Sequence, residues 1–125
     1  MDERLTAEAA MRGAEFRSSL RRFLRRSERV ARACGLTPQR YLLLLMIKGA
    51  PGGSEQSTVT ELADRLQLAQ STVTELVSRA TSPADGRVAH LRLTEEGERR
   101  LAKSFASLAA EREALRATFA HLDQT

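Results

Sequence analysis

The sequence predicts a mainly α-helical fold that carries one small β-hairpin, on three observations. Residues 58–80 read as two short amphipathic helices joined by a tight turn, with Val59, Leu62, Ala63 and Leu66, then Val73, Leu76, Val77 and Ala80, at helical intervals. Asp85-Gly86 is a hairpin-turn dipeptide, and beyond it the chain alternates, with Ala89, Leu91 and Leu93 on one face and Val88, His90 and Arg92 on the other. Long proline-free helical runs flank this centre on both sides. Two helices, a hairpin and a further helix, in that order, are the sequence image of a winged helix-turn-helix, for which the expected function is reading DNA.

Each element can be justified in turn. Between Ala7 and Ala33 only Gly13 interrupts a helical run, in which Ala10, Ala14, Leu20, Phe23, Leu24, Val30 and Ala31 form an apolar stripe among arginines. Arg17, Arg21, Arg22, Arg25, Arg26, Arg29 and Arg32 make this the most basic part of the chain, read as a solvated face with Glu15 and Glu28 as neighbours; the alternative is direct DNA contact or a contribution to the field that draws DNA in. Thr37-Pro38 is an N-cap followed by proline at the first helical position. Residues 41–47 are apolar on every side, which marks that helix as the central core element, and the run is too short to cross a membrane. Residues 49–57 are a linker by composition.

Thr58 with Glu61 three residues later predicts a capping box at the start of the next helix. Leu66, Gln67 and Leu68 turn the corner, with Leu68 as an apolar plug, and the following helix opens near Ala69 or Gln70. Thr94, with Glu95 and Glu96 in the first turn, caps a C-terminal helix carrying Leu101, Phe105, Leu108, Leu115, Phe119 and Leu122. That helix can run to about His121, whole or broken in two near Ala109. Two long helices with apolar stripes exceed what so small a domain can bury, so a second copy is expected to complete the core. The resulting division is a dimerisation helix over 1–33, the winged helix-turn-helix over 34–93 and one or more dimerisation helices over 94–125, all within one structural domain.

The second helix of the motif leaves Gln70, Ser71, Thr72, Thr74, Glu75 and Ser78 off its apolar stripe. In a helix-turn-helix this helix enters the major groove with its N-terminal residues at base edges, where Gln pairs with adenine and Thr touches the thymine methyl. Gln70 and Thr74 are therefore the expected base readers, Ser71 and Thr72 the expected phosphate contacts at the helix N-terminus, and Arg79 a further DNA contact. Arg87 sits at the predicted wing tip, where a guanidinium can enter a minor groove; its structural alternative is a surface Arg paired with Asp85. Only Thr81 and Ser82 stand between the second helix and Pro83, whereas a wing hairpin needs two strands of about five residues each. The expectation is that residues are missing from this stretch rather than that the wing is truly cut back.

The segment 36–101 resembles the MarR family of bacterial transcription regulators. The matching residues are Leu36-Thr37-Pro38-Gln39, residues 58–66 and 71–77, the Asp85-Gly86-Arg87 wing tip, and Leu93-Thr94-Glu95-Glu96-Gly97. The resemblance implies a homodimer whose N- and C-terminal helices interlock and whose two winged domains bind a palindromic operator in double-stranded DNA, most simply as a repressor. It also implies a small aromatic effector in a crevice between the dimer helices and the winged domain, with Phe16, Phe23 and Tyr41 as the candidate lining. Some members are switched by cysteine oxidation, which makes Cys34 a redox candidate; the alternative is a small packing residue at a helix junction.

Composition bounds the remaining readings. The chain has 125 residues and a net charge of +4, modestly positive and compatible with nucleic acid. Over 58–92, however, Arg65, Arg79, Arg87 and Arg92 are balanced by Glu61, Asp64, Glu75 and Asp85, so the presumed reading head is neutral. That neutrality motivates an alternative, a degenerate winged-helix dimer that acts as a protein-interaction module without binding DNA. Two histidines, His90 and His121, lie away from any metal-ligand spacing, and no nucleophile, phosphate-loop or paired-carboxylate motif is present, so no enzyme, metal or cofactor is expected. A charged start and a single cysteine fit a cytoplasmic protein without membrane attachment.

Overall fold

The computed structural model describes residues 4–80 and 90–122, with the backbone alone for residues 78–80. Among the described residues six helices follow in order, α1 (Ala7–Ala33), α2 (Pro38–Lys48), α3 (Val59–Leu66), α4 (Gln70–Ala80), α5 (Glu95–Ser107) and α6 (Ala109–Leu122), with one 3-10 turn at Pro51–Gly53 inside the linker. Threonine hydroxyls set four of the starts, because each accepts one of the backbone N–H groups that a first helical turn leaves without an intrahelical partner. Thr6 accepts from Ala9 at 3.1 Å, Thr37 from Arg40 at 3.2 Å, Thr58 from Glu61 at 3.2 Å and Thr94 from Gly97 at 3.0 Å. The C-terminal run is two helices, parted at Leu108, which is fully buried.

Apolar side chains gather in two clusters. Leu43 and Ile47 of α2, Leu62 and Ala63 of α3, Val73, Leu76 and Val77 of α4, and Leu91 form the first. Val30 and Ala31 of α1, Leu36 before α2, Tyr41 and Leu44 of α2, Leu101 of α5 and Leu108 form the second. Because successive residues of α2 point in different directions, this one helix supplies both clusters, as its all-round apolar sequence requires. Leu42 remains exposed.

Beyond Val30 the two terminal helices form an antiparallel arm. Arg26 faces Glu111 at 3.4 Å, Ser19 faces Thr118 at 3.4 Å and Phe16 meets Phe119 edge-on at 4.9 Å between ring centroids. None of the described α6 residues is buried. The apolar stripe expected on α1 is narrower than its composition suggested, since Ala10 and Ala14 are exposed. Gly35 adopts φ +79° in the α1–α2 turn, and its carbonyl accepts from Arg100 at 2.9 Å, which ties that turn to α5.

Among the described residues there is no β-strand, only an antiparallel bridge between Ser57 and Leu91. The expected hairpin tip Asp85-Gly86-Arg87 and the first part of the alternating run lie outside the described residues. Where the run is described it alternates as expected, with Leu91 buried and His90 and Arg92 exposed.

Candidate nucleic-acid interface

The α3–α4 pair is built by local rules. Thr58 and Glu61 form the reciprocal capping box, the Glu61 carboxylate accepting from the Thr58 N–H at 2.9 Å. That hydrogen bond, reinforced by the Thr58 hydroxyl, holds the Glu61 carboxyl below the ordinary range. At the other end of α3, Gln67 takes a left-handed conformation, φ +55°. The Leu68 N–H then bonds Ala63 O at 3.0 Å and the Gln67 N–H bonds Asp64 O at 3.3 Å, the pairing of a Schellman turn. Leu68 packs against the first cluster, in the role of the apolar plug.

Two further contacts fix this pair on the rest of the fold. Arg65 donates from Nη1 to Met46 O at 2.9 Å and from Nη2 to Gly49 O at 3.5 Å, so its guanidinium caps the C-terminal carbonyls of α2. Ser57 and Leu91 exchange backbone hydrogen bonds of 3.1 and 2.7 Å, which pin the chain leaving the expected wing to the entry of α3. Sequence reasoning assigned Ser57 to a linker and gave Arg65 no structural role. Lys48 also binds Glu98 at 2.8 Å and pairs with Glu55, which joins the linker and α5 to the end of α2.

On α4 the buried stripe is Val73, Leu76 and Val77, while Gln70, Ser71, Thr74 and Glu75 are exposed and Thr72 is half-buried. Gln70 and Thr74, four apart, share one face of the first two turns. The Thr72 and Val73 N–H groups both bond Ala69 O, so the helix begins at Gln70 and its first turn points outward. The Arg79 side chain and all of Arg87 lie outside the described residues.

The three aromatic candidates occupy three different settings. Phe16 packs on Phe119. Phe23 lines an open cleft of about 460 Å³ between α1 and α6, with Ser19, Arg22, Arg26, Glu111 and Leu115. Tyr41 is buried in the second cluster, where burial pushes its phenol up against the opposing influence of the Arg112 charge. Cys34 caps the C-terminus of α1 and is half-buried against that same cluster, the setting of a packing residue.

A short capped helix, a tight turn and a second helix presenting a polar face define a helix-turn-helix protein. A family model for the MarR family matches residues 35–87, from the α1–α2 turn through α4 to the expected wing tip, and this match supports membership of that family. No curated protein and no solved structure matched the chain. The match points to a transcription regulator. Among the described residues, no group of three or more His, Cys, Asp or Glu is placed to hold a metal, and no helix is long and apolar enough to cross a membrane.

Proposed function

We propose that this chain is a homodimeric, DNA-binding transcription regulator, most simply a repressor, that recognises a pseudo-palindromic operator. The observation that carries the reading is the face of α4, where Gln70, Ser71 and Thr74 stand exposed on a helix whose inner stripe is locked into the first cluster. Such a helix can lie in a major groove with Gln70 and Thr74 at base edges and Ser71 at a phosphate. Thr72, half-buried, is the weaker contact of the four. Arg79 and Arg87 complete the proposed contacts, the latter in the minor groove.

The dimer follows from surface that one copy leaves open. Leu5, Met11, Leu24 and Phe119 all lie on or beside the α1–α6 arm and are exposed, and neither apolar cluster extends into that arm. Segments 1–33 and 94–125 therefore serve dimerisation and 34–93 serves DNA. Effector release by a small aromatic molecule remains part of the proposal, with the cleft at Phe23 as its place; Phe16 and Tyr41 are engaged in packing.

One observation favours the second reading, an interaction module without DNA binding. Over α3 and α4 the charges in the sequence are Glu61, Asp64 and Glu75 against Arg65 and Arg79, and the Arg65 guanidinium caps α2. Titration of a fluorescent duplex from the chain's own upstream region, at two salt concentrations, separates the two. A DNA reader loses affinity steeply with salt, and Gln70→Ala costs about 1–3 kcal/mol on the preferred duplex and little on a scrambled one. Absence of any sequence preference would refute the regulator reading in favour of the module.

A further inference from the structure

The positive charge of this protein is not on its reading head. Residues 17–32 hold seven arginines and one carboxylate, Glu28, a net +6 in a chain whose total is +4; the remaining residues together carry a net −2. The helical repeat gathers Arg17, Arg21, Arg22, Arg25, Arg29 and Arg32 into an arc of about 140° along about 22 Å of α1. The opposite side of the helix carries Phe16, Leu20, Phe23 and Val30. Contacts to α6 run through Phe16, Ser19 and Arg26, on the side of α1 away from Arg21, Arg25 and Arg29, so α6 leaves the arginine arc open; Leu24, at the border of the arc, shares a cleft with Arg17, Arg21, Arg25 and Glu28.

Among the described residues the arc carries one carboxylate, Glu28, which forms no ion pair with its arginines. Arg26, at its edge, pairs with Glu111, whereas Arg17, Arg21, Arg25, Arg29 and Arg32 make no ion pair. Arg17, Arg21, Arg25 and Arg29 succeed one another four apart, and like charges at that spacing disfavour a helix. The arrangement therefore opposes folding and is relieved by a polyanion. A duplex presents one phosphate charge per about 1.7 Å of axis, a density that an arginine row of this length can follow. Helix α1 packs on α2, α5 and α6, whereas α3 and α4 are held by α2, so the arc is a surface distinct from the α4 face.

We infer that the arginine arc of α1 is a second, sequence-independent contact surface for the phosphate backbone of duplex DNA. It supplies the salt-dependent part of affinity that the α3–α4 surface, with its acidic excess, lacks, and it does not depend on α4 reading bases.

The test uses the full chain and the triple variant Arg21→Gln/Arg25→Gln/Arg29→Gln, titrated with a scrambled-sequence duplex between 50 and 200 mM salt. Loss of three phosphate contacts lowers the slope of log affinity against log salt by about 2.7, so across that range the parent loses about 40-fold more affinity than the variant. The corresponding Arg→Lys triple keeps the parent slope. In the absence of DNA the Gln triple melts no lower than the parent, which separates lost contact from lost fold. An unchanged slope in the Gln triple, with helix content and self-association also unchanged, would overturn the inference, as would binding to anionic phospholipid vesicles with none to duplex. The double variant Gln70→Ala/Thr74→Ala keeps failures apart: it removes preference for the upstream duplex and leaves the scrambled-duplex slope in place, so retained preference there counts against the α4 reading alone.

Discussion

Leu24 offers the sharpest handle on the proposed dimer. It lies one step around α1 from the seam with α6 and keeps 49% of its surface open in a single copy. Burying a whole leucine contributes about 1.5–3 kcal/mol, so covering the open half contributes about 1 kcal/mol. Two-fold symmetry counts that contribution once in each copy, about 2 kcal/mol per dimer. Leu24→Ala should therefore weaken self-association by about 30-fold. Leu24→Glu should weaken it further, because a carboxylate would then have to be desolvated at the seam. The same reasoning extends to Leu5, Met11 and Phe119, which are 74%, 69% and 53% exposed on the same arm. Sedimentation equilibrium over a concentration series gives the dissociation constant directly, and circular dichroism checks that the helices persist. Dissociation constants within about threefold of the parent for both variants, or a parent that stays monomeric throughout, would refute the assignment of this face to a second copy.

Three other outcomes follow from the local chemistry. Thr58→Ala removes the hydroxyl half of the capping box and should cost about 1 kcal/mol in urea unfolding, with Thr58→Ser restoring most of it. Gln67→Gly relieves the left-handed backbone cost of about 1 kcal/mol at the end of α3 but gives up the side-chain bond to Asp64 O; the expected net is a raised unfolding midpoint, and a lowered one would mean that the side-chain bond dominates. Glu55, Glu61 and Glu96 are held below the ordinary carboxylate value of 4.5 by Lys48, by Thr58, and by Arg100 with Arg99, respectively. Their stabilisation is present above that value and is lost as pH falls through their lower folded-state values, so the acid limb of a pH–stability profile should be shallower in Glu61→Gln. Lys48 is raised above 10.5 by Glu55 and then Glu98; its contribution holds below that value and is lost as pH rises through the higher folded-state one.

What the sequence made legible is what short-range chemistry decides. The extent of α1, the caps at Thr37, Thr58 and Thr94 and the inner stripe of α4 each depend on residues within a few positions of one another, whereas the sequence left the C-terminal helix open as whole or broken near Ala109. The contacts that were not legible are non-local. The Ser57–Leu91 bridge joins two residues with no periodic pattern around them, and Arg65 reaches back across the fold to carbonyls of α2. The corner was placed at Leu66, Gln67 and Leu68, but nothing local marks Gln67 for the left-handed backbone it adopts, which Gly or Asn usually supplies. Rotation of α5 was also misjudged by apolar spacing alone. Phe105 is exposed beneath the Arg112 guanidinium, 3.5 Å from its ring centre, while Ser104 is fully buried because its hydroxyl bonds Arg100 O at 2.8 Å. Phe16, Phe23 and Tyr41 looked alike as aromatic residues at helical spacing, yet their neighbours come from different elements.

The double duty of α2 has a mechanical consequence. Tyr41 and Leu44 are seated among side chains of α1 and α5, and Leu43 and Ile47 among those of α3 and α4. A close-packed interior does not let one side of such a rod move while the other stays still. Any tilt imposed where the arm is clamped must therefore reappear as a displacement of the polar helix at the far side. In the proposed pair of copies, α2 works as a lever whose seating gauges the distance between the two reading helices, and the Gly-rich linker at 49–57 only follows.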